Sequence, residues 1–193
     1  MSTHRERMVI SAALLIRERG AHPTAIADVL QHSGAPRGSA YHYFPGGRTQ
    51  LLCEAIDYAG EHVATRIAKA GRGLDLLDDL IADYRKQLVH TDFRAGCPVV
   101  AVTVEADEDA KQAPVIDRAA AAFARWNELI AGRLVSDGVS PDRAEELAML
   151  TTAAIEGAIV VARASRDLKP LDLVHRQLRA LLAAETTEQE AVR

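Results

Sequence analysis

The sequence predicts an all-α protein of about nine helices, with an N-terminal three-helix domain carrying a helix-turn-helix and a larger C-terminal helical domain. Two observations carry this. Aromatic residues make up 4% of the 193 residues while alanine and leucine abound, a composition that favours helices over strands. Apolar residues also recur at helical spacing in segment after segment, separated by Gly, Pro and Ser breaks.

The first helix spans residues 4–19, with Val9, Ala12, Ala13 and Ile16 on one face and Gly20 as its stop. Thr24 reads as the N-cap of a short second helix with Ile26, Val29 and Leu30 on one face. The break falls at Ser33-Gly34, and Pro36 suits the first turn of a third helix ending in Tyr41-His42-Tyr43-Phe44. After the turn Pro45-Gly46-Gly47, a long helix runs from Arg48 to about residue 69, with Leu51, Leu52, Ala55, Ile56, Ala59 and Val63 inside. Gly71-Arg72-Gly73 interrupts the chain, and a fifth helix covers residues 74–91.

Residues 99–104, Val-Val-Ala-Val-Thr-Val, have strand propensity. A lone strand would leave its backbone unpaired, so the run is expected to be a short, wholly buried helix. Glu105, Asp107, Glu108 and Asp109 read as a solvated helix end and loop in preference to a carboxylate site. Further helices cover residues 113–135, residues 141–164 behind the cap Ser140-Pro141, and a last segment opened by Pro170 that frays from Glu185 onward.

The third helix offers donors, acceptors and rings but little aliphatic bulk: Arg37, Gly38, Ser39, Tyr41, His42 and Tyr43. A helix lying in a DNA groove needs that surface. Arginine pairs with guanine or phosphate, hydroxyls reach phosphate oxygens, and glycine permits close approach. Arg48 at a helix N-terminus opposes the macrodipole, a small argument for an anion nearby.

The string Gly20, Thr24, Val29, Gly34, Arg37-Gly38-Ser39 and Tyr41-His42-Tyr43-Phe44 resembles the DNA-binding domain of TetR-type transcriptional regulators, over roughly residues 5–55. Pro45-Gly46-Gly47-Arg48 and Gly96-Cys97-Pro98 are similar to the lincomycin-resistance-repressor-like branch of that family. Ala40 departs from it, since relatives usually carry a larger aliphatic there. The resemblance implies domains at residues 1–48 and 49–193. It also implies Thr24 and Arg48 on phosphates, and Arg37, Gly38, Ser39, Tyr41, His42 and Tyr43 at the major groove.

Net charge is −4, but residues 1–48 carry +3 and the rest −7, the asymmetry of a head that meets phosphate on a body that does not. Two cysteines, Cys53 and Cys97, build no disulfide framework. No solid apolar run approaches the ~18–20 residues of a membrane span, and Glu6 and Glu18 interrupt any signal-like N-terminus. A cytoplasmic protein is expected.

No catalytic motif, metal-ligand spacing or cofactor loop occurs, so no enzyme, metal or cofactor is expected. The body instead holds amphipathic residues within aliphatic helices: Tyr58, His62, Tyr84, Phe123, Trp126, Asn127, Ile130, Thr152 and Glu156, with Cys97 and Val100 at a loop-to-helix junction. That mixture suits a small-molecule pocket. Glu156 stands out as an acid amid aliphatics, costly to bury unless paired.

One reading helix covers half a recognition site, so a dimer on a palindromic operator is expected. Leu147, Ala154, Ala158, Val161, Leu171, Val174 and Leu178 are its candidate interface. The function implied is that of a repressor released by a small aromatic or drug-like molecule. The alternative is a small-molecule-binding helical protein whose head no longer binds DNA.

Overall fold

The computed structural model describes residues 3–105 and 113–190, with side chains as far as residue 185. The acidic run at Asp107, Glu108 and Asp109, and the last three residues, lie outside the described residues. Among those described, every regular element is a helix: α1 (His4–Arg19), α2 (Ile26–Ser33), α3 (Ser39–Tyr43), α4 (Gly47–Lys69), α5 (Gly73–His90), α6 (Pro98–Val104), α7 (Ala113–Ser136), α8 (Pro141–Ser165) and α9 (Lys169–Glu190).

The chain forms two compact units, Met1–His62 with Ala95–Ala122, and Val63–Arg94 with Phe123–Arg193. The boundary drawn at residue 48 from sequence falls inside the first unit, because α6 and the start of α7 pack with the N-terminal helices.

In the first unit, α1 starts at a capping box. Glu6 N–H donates to Thr3 Oγ1 at 3.1 Å and Thr3 N–H to Glu6 Oε2 at 2.8 Å. Its Met8, Ala12 and Ile16 are fully buried and hold α2 through Val29. Gly34 ends α2 in the left-handed region, φ 66° and ψ 21°, which an L side chain adopts only with strain. The run at residues 99–104 is helical as expected, with Cys97 at the N-cap and Pro98 in the first turn. It is not wholly buried, however. Val99 and Val102 point inward, while Thr103 and Val104 are exposed.

In the second unit, α5, α8 and α9 pack around Leu77, Ile81, Leu88, Leu147, Ile159, Leu171, Leu178 and Leu182, with Trp126 and Leu134 of α7 also buried. Asp137 Oδ2 accepts from Gly73 N–H at 2.5 Å, satisfying a free donor at the start of α5. Hydrogen bonds and ion pairs tie α5 to α9: Asp78 accepts from His175 at 2.6 Å and from Arg179 at 2.5 Å, and Arg85 meets Asp172. Among the described residues α8 is the helix whose length and composition would suit a membrane span, yet half of that apolar stretch is buried inside the fold.

Candidate nucleic-acid interface and effector cavity

Pro36, Arg37 and Gly38 form a turn that delivers the chain into α3. Ser39 N–H donates to Pro36 O at 3.0 Å, and the Ser39 hydroxyl donates to the same carbonyl at 2.6 Å. Pro36 therefore precedes the helix instead of opening it, because its carbonyl closes the lead-in turn. α3 has five residues, too few to hold a helix unaided. Its position comes from two buried anchors, Ala40 and Phe44, each 1% exposed, with the Arg5 guanidinium 5.4 Å above the Phe44 ring. The small side chain at position 40 is fully buried.

Outward, Arg37 and His42 are exposed, Ser39 and Tyr43 half-exposed, and Tyr41 reaches 74% exposure. His42 and Tyr43 meet edge to face at 5.2 Å. Gly38 has ordinary helical angles, φ −79° and ψ −12°, and a Cβ there would meet nothing within 4 Å. Its own fold does not require a glycine.

The other arginines of residues 3–48 are engaged. Arg5 pairs with Glu54 at 2.7 Å, Arg19 with Asp28 at 2.7 Å, and Arg7 meets His4 Nδ1 at 2.7 Å. Burial pushes the Arg17 guanidinium below its ordinary pKa. Arg37 has no ion pair or hydrogen bond among the described residues.

Two expected phosphate ligands are placed differently. Thr24 is buried, and its hydroxyl donates to Gly20 O at 2.7 Å. The α2 N-cap is Ala25, served by Asp28, whose Oδ2 accepts from Ala25 N–H at 3.1 Å. A threonine hydroxyl can bond backward to a carbonyl as readily as forward to amides, and here it does the former. Arg48 donates through Nε to Thr24 O at 2.9 Å and through Nη2 to Ala21 O and to His22 O, the last at 3.3 Å. It staples the α1–α2 turn to the first turn of α4. Those carbonyls supply the partial negative charge that the macrodipole argument sought in an external anion.

In the second unit, side chains of α4, α5, α7 and α8 form a small cavity lined by Val63, Ile67, Leu80, Tyr84, Trp126, Ile130, Thr152, Ile155 and Glu156. Its volume is about 20 Å³, room for a single water and far below the ~300 Å³ of a drug-sized ligand site. Glu156 is 9% exposed and faces this lining. The Thr152 hydroxyl donates to Asn127 Oδ1 at 2.6 Å.

The description "Transcriptional regulator LmrA/YxaF-like, C-terminal domain" matches residues 74–177. An HTH-type transcriptional regulator of Mycobacterium tuberculosis is 69% identical over 192 residues, covering 98% of this chain and 99% of that one. The chain belongs to the TetR family of transcriptional regulators.

YxaF and LmrA of Bacillus subtilis are 28% and 29% identical to this regulator, over 92% and 86% of it and 94% and 90% of their own lengths. Two solved structures share the fold. A TetR transcriptional regulator from Legionella pneumophila has TM-score 0.80 at 16% identity, covering 94% of this chain and 98% of its own. The regulatory protein TetR from Rhodobacter sphaeroides has TM-score 0.76 at 22% identity, covering 92% and 98%. The family and fold are those of transcription regulators, not enzymes.

Of the residues expected at a ligand site of this TetR-family regulator, Tyr84, Trp126, Ile130, Thr152 and Glu156 converge on the cavity. Phe123 and Asn127 stand one layer behind, Phe123 edge-on to Trp126 at 5.3 Å and Asn127 holding Thr152. Tyr58 and His62 stack on each other at 6.4 Å, and these two, with Cys97 and Val100, belong to the first unit. Val63, Ile67, Leu80 and Ile155 also line the cavity. Their sequence signal is that of any aliphatic core residue, so nothing in the pattern singled them out.

The expected dimer residues divide. Leu147, Ala158, Leu171 and Leu178 are buried within the protomer. Ala154 and Val174 are half-buried, and Val161 is exposed. The apolar surface left open on α8 shares only Val161 with that set: Met149, Leu150, Ala153, Gly157, Val160, Val161 and Ala164, with Leu173 exposed on α9.

Proposed function

We propose that this regulator is a repressor that binds a palindromic operator as a homodimer in the cytoplasm and is released by a small amphipathic molecule. The observation that carries the DNA reading is α3 itself. Two apolar anchors fix it, and Tyr41 and His42, with Arg37 just before it, face outward without a hydrogen bond or ion pair to the rest of the described residues. Arg37, Gly38, Tyr41 and His42 meet the groove, with Ser39 and Tyr43 at its rim. The dimer forms through the open stripe of α8 and the adjoining face of α9, where Ala153, Gly157 and Ala164 permit close helix approach. Leu150→Arg would then give monomers in analytical ultracentrifugation.

Effector uptake enlarges the cavity. α4 carries both Arg48 at its start and the lining residues Val63 and Ile67 near its end, so a shift of this helix transmits occupancy to the head. Tenfold release needs only about 1.4 kcal/mol of differential affinity.

The test is binding to the DNA upstream of its own gene across a salt series. Each phosphate neutralised contributes about −0.9 to the slope of log K against log salt. Arg37→Ala is expected to weaken binding at least tenfold and to flatten the slope. Equal binding by parent and Arg37→Ala would favour the second reading, an effector-binding protein with a silent head.

A further inference from the structure

We infer that Glu105, the residue that ends α6, is a positioning residue for DNA reading: its carboxylate and the Arg48 guanidinium grip one peptide group of the α1–α2 turn from its two ends. This rests on the reading that α3 meets DNA, and it names a second hold on the segment that aims α3.

The peptide group lies between Ala21 and His22. Its carbonyl, Ala21 O, accepts from Arg48 Nη2. Its amide, His22 N–H, donates to Glu105 Oε2 at 2.8 Å. A peptide dipole is negative at the oxygen and positive at the amide proton, so cation and anion each sit at the end that favours them. Both bonds are charge-assisted, and bonds at the two ends of one amide polarise each other favourably. The turn is thus tied to α4 through Arg48 and to α6 through Glu105.

The backbone leaves a seat for this carboxylate. A Cβ on Gly20 would fall on the Glu105 side chain, so the glycine opens the space that the acid fills. At its other end α6 is registered on α1, where Gly96 N–H donates to Arg17 O at 2.8 Å. The segment therefore holds the end of α1 just before its own first turn and the α1–α2 turn just after its last.

That turn aims the reading segment. Ala25 caps α2, whose eight residues lead to Gly34 and then to the lead-in of α3. At 1.5 Å per residue α2 is a lever of about 12 Å, so a tilt at its start displaces Arg37 and Tyr41 at its far end. Hydrogen bonds weaken steeply with misalignment.

The sign of the effect separates aim from charge. Deleting an acid from a head that binds phosphate should, by long-range attraction alone, tighten DNA binding; loss of aim weakens it. Glu105→Ala is expected to bind the upstream DNA about tenfold more weakly than the parent, about threefold for each head of a dimer, with the salt slope unchanged. Glu105→Asp keeps the charge on a shorter arm and should bind about as weakly. Glu105→Gln, neutral but with an acceptor oxygen at the same reach, should recover part of the loss. Affinities are measured at 25 °C on protein shown to be folded by circular dichroism, where lost stability alone changes nothing. In the free protein, hydrogen exchange read by NMR should be at least tenfold faster at the His22 amide of Glu105→Ala and unchanged at the Val29 amide inside α2.

Equal or tighter DNA binding by folded Glu105→Ala overturns the inference and leaves the DNA reading intact. An unaltered His22 exchange rate overturns it without reference to DNA. If Glu105→Ala unfolds, the other two variants decide: tighter binding by Glu105→Gln than by Glu105→Asp supports the role, and equality or the reverse order overturns it. A parent protein that binds no DNA strikes the underlying reading, and the positioning role falls with it.

Discussion

Replacing Gly38 by alanine separates what the fold needs from what a DNA partner needs. Gly38 has helical backbone angles and open space where a Cβ would go, so the folded protein accepts a methyl without strain. Alanine narrows the unfolded ensemble, worth about 0.4–1 kcal/mol of stability at a compatible site. The residue also sits at the α3 N-cap, where glycine is preferred over alanine by a similar amount. The two effects oppose each other, and the net change stays within about 1 kcal/mol. At this chain length that moves the thermal midpoint by no more than about 2–4 °C.

DNA binding should respond quite differently. If α3 reads DNA as proposed, a methyl between Arg37 and α3 would intrude where the backbone approaches its partner. A loss of about 1.4 kcal/mol per head is tenfold, and two heads on a palindrome make it about a hundredfold. The assay pairs fluorescence anisotropy on upstream DNA with thermal unfolding of the same preparation. Unchanged affinity at unchanged midpoint would mean that the Gly38 surface meets no DNA. A midpoint lowered by more than about 5 °C would refute the argument that the fold tolerates a side chain there.

Arg48→Met should cost about 1–3 kcal/mol of stability, since it strips charged donors from three carbonyls of the α1–α2 turn. The salt slope of DNA binding should not change. A slope reduced by about one with the midpoint unmoved would return Arg48 to the phosphates. Gly60→Ala should destabilise by about 1–3 kcal/mol, because the new Cβ would lie 2.8 Å from Ala122 Cβ where α4 meets α7; an unaltered midpoint would contradict that close approach. Burial pushes the Cys53 thiol above its ordinary 9.0, with Arg118 partly opposing. The folded state thus keeps its proton longer, and stability falls as pH rises past about 9. Iodoacetamide at pH 7.5 should label native Cys53 more slowly than the unfolded chain, and equal rates would refute it.

The helices were legible in the sequence because each carries an apolar stripe at helical spacing and a recognisable break at its ends; α1 and α4 start and stop within a residue of expectation. Residues 98–104 show the one conflict between local propensity and global pairing, and the absence of a strand partner decided it correctly for helix. Side-chain direction was less legible. Thr24 and Arg48 have functional groups that serve backbone or phosphate equally well, and only the three-dimensional turn at Ala21–Thr24 shows which is in reach.

The two apolar faces of α8 were harder still. Leu147 and Ala158 face inward and Met149 and Val160 outward, and a helix apolar on most sides carries no mark in sequence of which stripe is core. Of the cavity lining the sequence singled out the polar and aromatic members and Ile130, while Val63 or Ile155 differs from an ordinary core residue only by what lies opposite.

The seating of α3 bears on how such a protein diversifies. Ala40 and Phe44 fix the segment, and Arg37, Tyr41 and His42 have little share in holding it. Selection can therefore rewrite the outward positions with small folding penalties. A duplicated gene could acquire a new target sequence by a few substitutions while its product folds as before. Changes at the two anchors, by contrast, would be purged early, as they displace every outward side chain of the segment together.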